Sequence, residues 1–318
     1  MKKLEAFVKE SILPDFPLKS RVHKANSYFG SHHVFIKRDD ELSSGIIGTK
    51  LRKYLSLIQY LKNLGKPIAA IGSVHSNNLV SLAQMLIEFD IEYLIIAKES
   101  NSNLKGNGIW LKQLVGNKLI TIKRACWNDH EKWLRMNYPD YFILPEGASI
   151  DASIAGVLTL PVEIDSWIEE NGNNLDHLFL DAGTSFTAAV CCAGLIFCTH
   201  QPKNIHITHI AGGKELFDLQ LDRVYNYLSK KGFKIDKVPL QIHHHFPVTA
   251  KSFGSVNNTI TQEWKLIMQK EGILLDLPYG AKHFHAIKNL LNHIASPQKC
   301  LVVNSGNSFA ARNHEHLL

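Results

Sequence analysis

Short apolar runs alternate along this chain with longer stretches whose apolar residues recur at helical spacing, and that alternation constrains the fold most. Segments 33–37, 68–71, 91–97, 119–122, 141–144, 177–181, 206–211 and 300–304 read as strands. Segments 50–64, 77–87, 108–114, 155–170, 188–198, 215–231 and 260–271 read as helices. In the first helix Leu51, Tyr54, Leu55, Ile58 and Leu61 share one face, and Gly65 follows as a stop. Strands separated by helix-length segments imply a mostly parallel sheet covered by helices. The expected class is α/β. Gly, Ser, Thr and Asn gather just after the strands, at the carboxyl ends where open parallel sheets take ligands.

Composition narrows the function classes. A chain of 318 residues can bury two domain cores. Its net charge of +6 is scattered among acids without a basic block, which argues against nucleic acid and suits a small anionic substrate. Cys126, Cys191, Cys192, Cys198 and Cys300 form no CxxC pair, so they read as reduced thiols of a cytoplasmic protein. Acids near Met1 argue against a signal peptide, and no apolar run is long enough for a membrane span. His243, His244 and His245 are adjacent, so on a strand they point to opposite faces and no metal site is expected. Asp39–Asp40 reads as a charged turn.

Five segments carry chemistry. Gly48–Thr49–Lys50 puts a lysine at a glycine turn opening a helix. Such an amine can hold an aldehyde cofactor as a Schiff base if burial or a nearby cation keeps it partly neutral. Arg52 and Lys53 are close in sequence but are expected to point elsewhere. After Gly72 come Ser76, Asn77 and Asn78: a hydroxyl able to relay a proton and an amide able to meet a ring oxygen. Asp181 to Thr187 is strand, then the hydroxyl-rich turn Gly183–Thr184–Ser185, then an apolar helix, the make-up of a phosphate cradle. Tyr279 sits on a Pro/Gly loop and Ser305 just past the last strand. A neutral serine facing a pyridine nitrogen would leave the ring a milder electron sink than a carboxylate would. Each piece alone has a local reading: a surface lysine, an N-cap, a helix-capping turn, two loop residues. Together they read as a site for pyridoxal 5′-phosphate on Lys50.

The ordered set Lys37–Arg38–Asp39–Asp40, Gly48–Thr49–Lys50–Leu51–Arg52–Lys53, Gly72 to Asn77, Pro145–Glu146–Gly147, Gly183 to Thr187, Pro278–Tyr279 and Ser305–Gly306 resembles the 1-aminocyclopropane-1-carboxylate deaminase and D-cysteine desulfhydrase family. The likeness runs from about residue 15 to residue 310. It implies pyridoxal-phosphate fold type II, tryptophan synthase β-like: two open three-layer domains with mostly parallel sheets. Residues 1–50 and 155–318 would form the large cofactor domain and 51–154 the small one. It implies Lys50, Ser76 and Tyr279 as catalytic groups. It also implies that Lys50, Asn77, Gly183, Thr184, Ser185, Thr187 and Ser305 hold the cofactor, with no metal. The implied activity is α,β-elimination or deamination of a small amino acid by a cytoplasmic homodimer, to a keto acid and ammonia. The alternative is a drifted protein that binds the cofactor, or a phosphate ligand, without turnover. Two departures motivate it: Gly280 replaces the acid that follows the tyrosine in the deaminase branch, and Phe253 replaces a second tyrosine.

Overall fold

The computed structural model describes residues 1–14, 16, 18–43, 45–99, 104–235, 240–252, 254–295, 297–306 and 317; Phe253 lies outside them. The strands are β1 (Val22–Lys24), β2 (His33–Lys37), β3 (Ile68–Ser73), β4 (Tyr93–Lys98), β5 (Leu119–Ile122), β6 (Phe142–Leu144), β7 (His177–Ala182), β8 (Asn204–His209), β9 (Ile242–His245) and β10 (Lys299–Val303). The first helices are α1 (Lys2–Ser11), α2 (Lys50–Leu64), α3 (Asn77–Glu88), α4 (Asn107–Val115) and α5 (His130–Asn137). They continue with α6 (Ile154–Val157), α7 (Thr159–Glu170), α8 (Phe186–Leu195), α9 (Lys214–Lys230), α10 (Asn258–Glu271) and α11 (Lys282–Leu291). Among the described residues no helix is long and apolar enough to cross a membrane.

Two sheets organise the chain. One has the order β1-β2-β10-β7-β8-β9, the other β5-β4-β3-β6. Among the described residues only the β1–β2 pair is antiparallel. Side chains alternate across each sheet, so both faces need a cover. On one face of the large sheet Leu178, Leu180, Ile205, Ile207 and Leu301 meet Leu160 and Ile164 of α7 and Ala189 and Cys192 of α8. On the other, Ile36, Phe179 and Val302 meet Trp264 of α10 and Phe284 of α11. The small sheet sends Ile68, Ala70 and Ile95 toward α2 and α3, and Ala69, Ile71 and Ile96 toward Trp127 and Leu134. The architecture is therefore two three-layer α/β units with mostly parallel sheets.

Helix α2 begins at Lys50 and stops at Gly65, whose φ of 62° is the left-handed conformation a glycine adopts without penalty. Leu51, Leu55, Ile58 and Leu61 are buried along it, each contributing roughly 1.5–3 kcal/mol. The single helix expected over 155–170 is broken at Leu158 into α6 and α7. Pro161 has no N–H for the Val157 carbonyl, and the next bond, Val162 N to Leu158 O, is stretched to 3.5 Å.

The histidine run forms part of β9, a strand that its polar sequence hides. Register places His206 beside His243 and Thr208 beside His245. On the β8 face that carries Thr208, His177 Nδ1 lies 2.8 Å from His206 Nε2, and His206 Nδ1 lies 2.9 Å from His245 Nε2. On the opposite face His209 Nε2 lies 2.8 Å from His244 Nδ1. An imidazole with one donor and one acceptor can join such a row only while neutral. Burial, reinforced by neighbouring histidines, pushes His206 down to about 3 and His209 to about 4. Burial likewise pushes His283 of α11 down to about 4.

These groups bind protons more weakly folded than unfolded, so their stabilisation is present above the unfolded value of 6.5 and lost as pH falls through the folded values. The thermal midpoint should drop steadily between about pH 6.5 and pH 4. His206→Gln should flatten that slope in a pH series of melting curves, while an unchanged slope would exclude the row as its source.

Candidate active site

The lysine turn is fixed from below by the segment that follows the last strand of the large sheet. Thr49 N donates to Ser305 O at 3.0 Å, and a Cβ on Gly48 would lie 1.7 Å from that same carbonyl oxygen. With φ at 57° as well, position 48 admits only glycine. The segment after β10 thus supports the first turn of α2, and Ser305 belongs to the floor beneath Lys50.

Two residues further on, the fully buried Arg52 locks the helix in rotation. Its guanidinium donates to both Asp39 oxygens at 2.7 and 2.8 Å, to Glu163 Oε1 at 2.7 Å and to Thr159 Oγ1 at 2.8 Å. Lys37 reaches Ser20 Oγ at 2.7 Å and Glu163, and Ser20 Oγ donates to Asp39 Oδ1 at 2.8 Å. Burial alone would raise Asp39, but Arg52 overrides it and holds the carboxyl at about 2. Asp39 is therefore the buried centre of an ion network, a correction to its reading as a charged turn.

Lys53 corrects a second expectation. Three residues past Lys50, it lies on the same helix face. Its Nζ donates to Gly147 O at 2.6 Å and sits 5.3 Å over the Phe186 ring. A Cβ on Gly147 would lie 3.3 Å from Thr184 Cγ2, so Lys53 points at the hydroxyl-rich turn. Burial, then the neighbouring Lys50, pushes Lys53 down to about 7. Burial also lowers Lys50, against the pull of Asp276 and Asp181.

Ser76 and Asn77 begin α3. Ser76 Oγ accepts from Asn78 N at 3.1 Å and Leu79 N at 3.4 Å, an N-cap that occupies its lone pairs and leaves its proton to donate. Asn77 Oδ1 accepts from the Asn107 amide, so its NH2 group is the end left for a ligand. Tyr54 Oη donates to Asn78 at 2.9 Å, tying α3 to α2.

Gly183 and Thr184 follow β7, and α8 begins at Phe186. Ser185 takes a φ of 61°, left-handed for a non-glycine, and its buried Oγ has no hydrogen-bond partner among the described residues. The Thr49 hydroxyl at the start of α2 is likewise buried and unpartnered. Orphaned donors at helix N-termini, with Lys53 beside one of them, suit an anion. Thr187 occupies the first turn of α8 and is half-buried. Tyr279 belongs to the π-turn Leu277–Ala281. Its ring lies 3.0 Å and its hydroxyl 3.3 Å from where a Gly183 Cβ would be, so the ring rests on the anion turn. Burial, then Asp276 and Asp181, raises the phenol, which stays protonated.

Sequence reasoning missed Lys53, Asp181, Asp276 and Asn107. The i, i+3 spacing from Lys50 was the available signal for Lys53. Asp181 ends a strand immediately before the anion turn, which marks it by position. The roles of Asp276 and Asn107 depend on tertiary contacts. Among the described residues no group of His, Cys, Asp and Glu has the geometry to hold a metal ion.

The fold is that of the pyridoxal-phosphate enzymes of type II, the tryptophan synthase β-like class. A crystal structure described as an ACC deaminase homologue superposes with a TM-score of 0.77 at 20% identity, covering 96% of this chain and 95% of that one. A threonine deaminase isoform from Solanum lycopersicum follows at 0.68 and 13% identity, covering 96% and 88%. A pyridoxal 5′-phosphate-dependent aspartate racemase gives 0.62 at 10%, covering 96% and 93%. In sequence the chain is similar to two proteins named "Putative 1-aminocyclopropane-1-carboxylate deaminase". The one from Pyrococcus furiosus is 22% identical and the one from Pyrococcus horikoshii 24%, each match covering 86% of this chain and 84% of the relative. No family model matches.

Arg52→Ala would strand Asp39 and Glu163 in the interior with Lys37 alone. A loss of about 3–5 kcal/mol is expected, read as a lower urea midpoint. Arg52→Lys should recover only part of it, because a lysine cannot make the forked contact.

Proposed function

We propose that this chain is a pyridoxal 5′-phosphate-dependent enzyme that deaminates a small amino acid by α,β-elimination, of the D-cysteine desulfhydrase type. The observation that carries the reading is a half-buried lysine whose pKa desolvation lowers, Lys50, at the carboxyl end of the large sheet. It lies one helical turn from Lys53, whose Nζ donates to the carbonyl of Gly147, the residue packed against Thr184 of the anion turn. The relatives and the fold support it. The likeness to 1-aminocyclopropane-1-carboxylate deaminases extends over most of the chain, and threonine deaminase shares the architecture.

The residues fit the cofactor. Lys50 would hold it covalently, and Asn77 Nδ2 would meet its ring oxygen. Thr184, Ser185, Thr187, the backbone at Gly183 and the amine of Lys53 would hold its phosphate, and Ser305 would lie under the ring. When bound, the cofactor supplies an electron sink for negative charge at the substrate Cα. Lys50 Nζ removes the Cα proton once it is free, which its lowered pKa favours. Ser76 Oγ and Tyr279 Oη hand protons to the departing group. One water completes the balance to keto acid and ammonia. The same reading carries a cytoplasmic homodimer without nucleic-acid or membrane partners. Residues 1–50 and 155–318 would then form the large domain and 51–154 the small one.

The purified protein should be yellow, and Lys50→Ala should bleach it. A panel of D- and L-amino acids, followed by absorbance, keto-acid and hydrogen sulfide release, identifies the substrate. Ser76→Ala and Tyr279→Phe should each lower kcat by about 10²-fold or more. Spectral change without product would favour a binding protein. A colourless protein indifferent to added cofactor would sink the reading.

A further inference from the structure

We propose that the Asp276 carboxylate, rather than the Ser305 hydroxyl, is the charge partner that keeps a proton on the ring nitrogen of the bound cofactor. The inference rests on the functional reading above and concerns a residue that the ordered motifs leave out.

Asp276 is 1% exposed and precedes the π-turn that carries Tyr279. Its Oδ1 accepts from Gly280 N at 2.8 Å. Two glycines make room for that oxygen: a Cβ on Gly280 would lie 2.8 Å from it, and a Cβ on Gly306 2.6 Å. The carboxylate thus fills the space into which a side chain at either position would project. One of those glycines is the direct neighbour of Ser305, whose carbonyl supports the Lys50 turn. A ring seated over Ser305 is therefore within the field of this carboxylate.

Among the described residues the charges around it are few. Lys50 from α2 favours the ionised form, Asp181 from β7 opposes it, and the backbone N–H groups of Tyr279 and Gly280 stabilise it. Burial pushes Asp276 up to about 6, so it is still ionised at neutral pH. Once the Lys50 nitrogen is bonded to the cofactor, that compensating positive charge is no longer fixed on the lysine. A buried carboxylate left unpaired is costly, and a proton retained on a nearby ring nitrogen supplies its partner. A hydroxyl at Ser305 carries no charge and gives no comparable stabilisation. The ring is then a strong electron sink, contrary to the milder one expected from Ser305 alone.

The test uses the full chain loaded with pyridoxal phosphate labelled with ¹⁵N in the ring. At pH 7.5 the ring-nitrogen resonance should be that of the protonated form in the wild type and in Ser305→Ala. In Asp276→Asn, whose side-chain oxygen can still accept from Gly280 N, it should move to the unprotonated form. The visible-band pH titration should shift with it by about one unit or more, a tenfold change in protonated fraction. An unprotonated nitrogen in the loaded wild type overturns the inference without any variant and leaves the functional reading standing. A resonance that moves in Ser305→Ala but not in Asp276→Asn overturns it equally. A wild type that takes up no cofactor overturns both.

Discussion

Everything at the candidate site is aimed by one buried guanidinium. Arg52 cannot shed its proton, so burying it forces Asp39 and Glu163 inside with it. Those carboxylates come from the turn after β2 and from α7, and the arginine from the first turn of α2. One cluster therefore fixes the rotation and height of α2 against the large sheet. At Gly156 the α6 backbone reaches the Arg52 carbonyl, where a Cβ would sit 1.9 Å from the oxygen. Lys50 and Lys53 project as they do because Arg52 between them cannot turn. Such a network adds little net stability compared with apolar packing; its contribution is a single allowed orientation.

Around that fixed helix the titratable groups move toward their uncharged forms. Burial lowers both lysines and raises Asp276, while Tyr279 stays a phenol. An anion beside Lys53 favours the protonated amine, and a cationic ring beside Asp276 favours the carboxylate. Ligand binding and local ionisation are thus coupled through the same few side chains.

Much of this was legible in the sequence, for reasons particular to each segment. Helix α2 shows both its periodicity and its glycine stop, and its observed limits are the expected ones. Strand β5 likewise falls on 119–122 as its apolar run requires. The α/β class with mostly parallel sheets follows from strand–helix alternation alone, while the three-layer form was implied by the family resemblance. Strand β9 was hidden because Ile242–His245 has no apolar alternation, and its place comes from pairing with β8. The split before α7 turned on one missing N–H at Pro161. At the candidate site, the residue types and their order point to Lys50, Ser76, Asn77 and the turn at 183–187 as candidates. Asp39 and Asp276 were misjudged or overlooked because their partners lie far along the chain: Arg52 and Glu163 for one, Gly306 for the other.

The row formed by His177, His206 and His245 has one more property. The central ring, His206, must give one hydrogen bond and receive one, so the three neutral rings must all carry their protons on the same side along the row. Protons placed on the left of every ring or on the right of every ring satisfy the contacts equally; a mixed arrangement sets two donors or two lone pairs against each other. The edge of the large sheet therefore holds a small switchable dipole, whose polarity reverses only when both shared hydrogens shift while a proton enters at one end of the row and another leaves at the other.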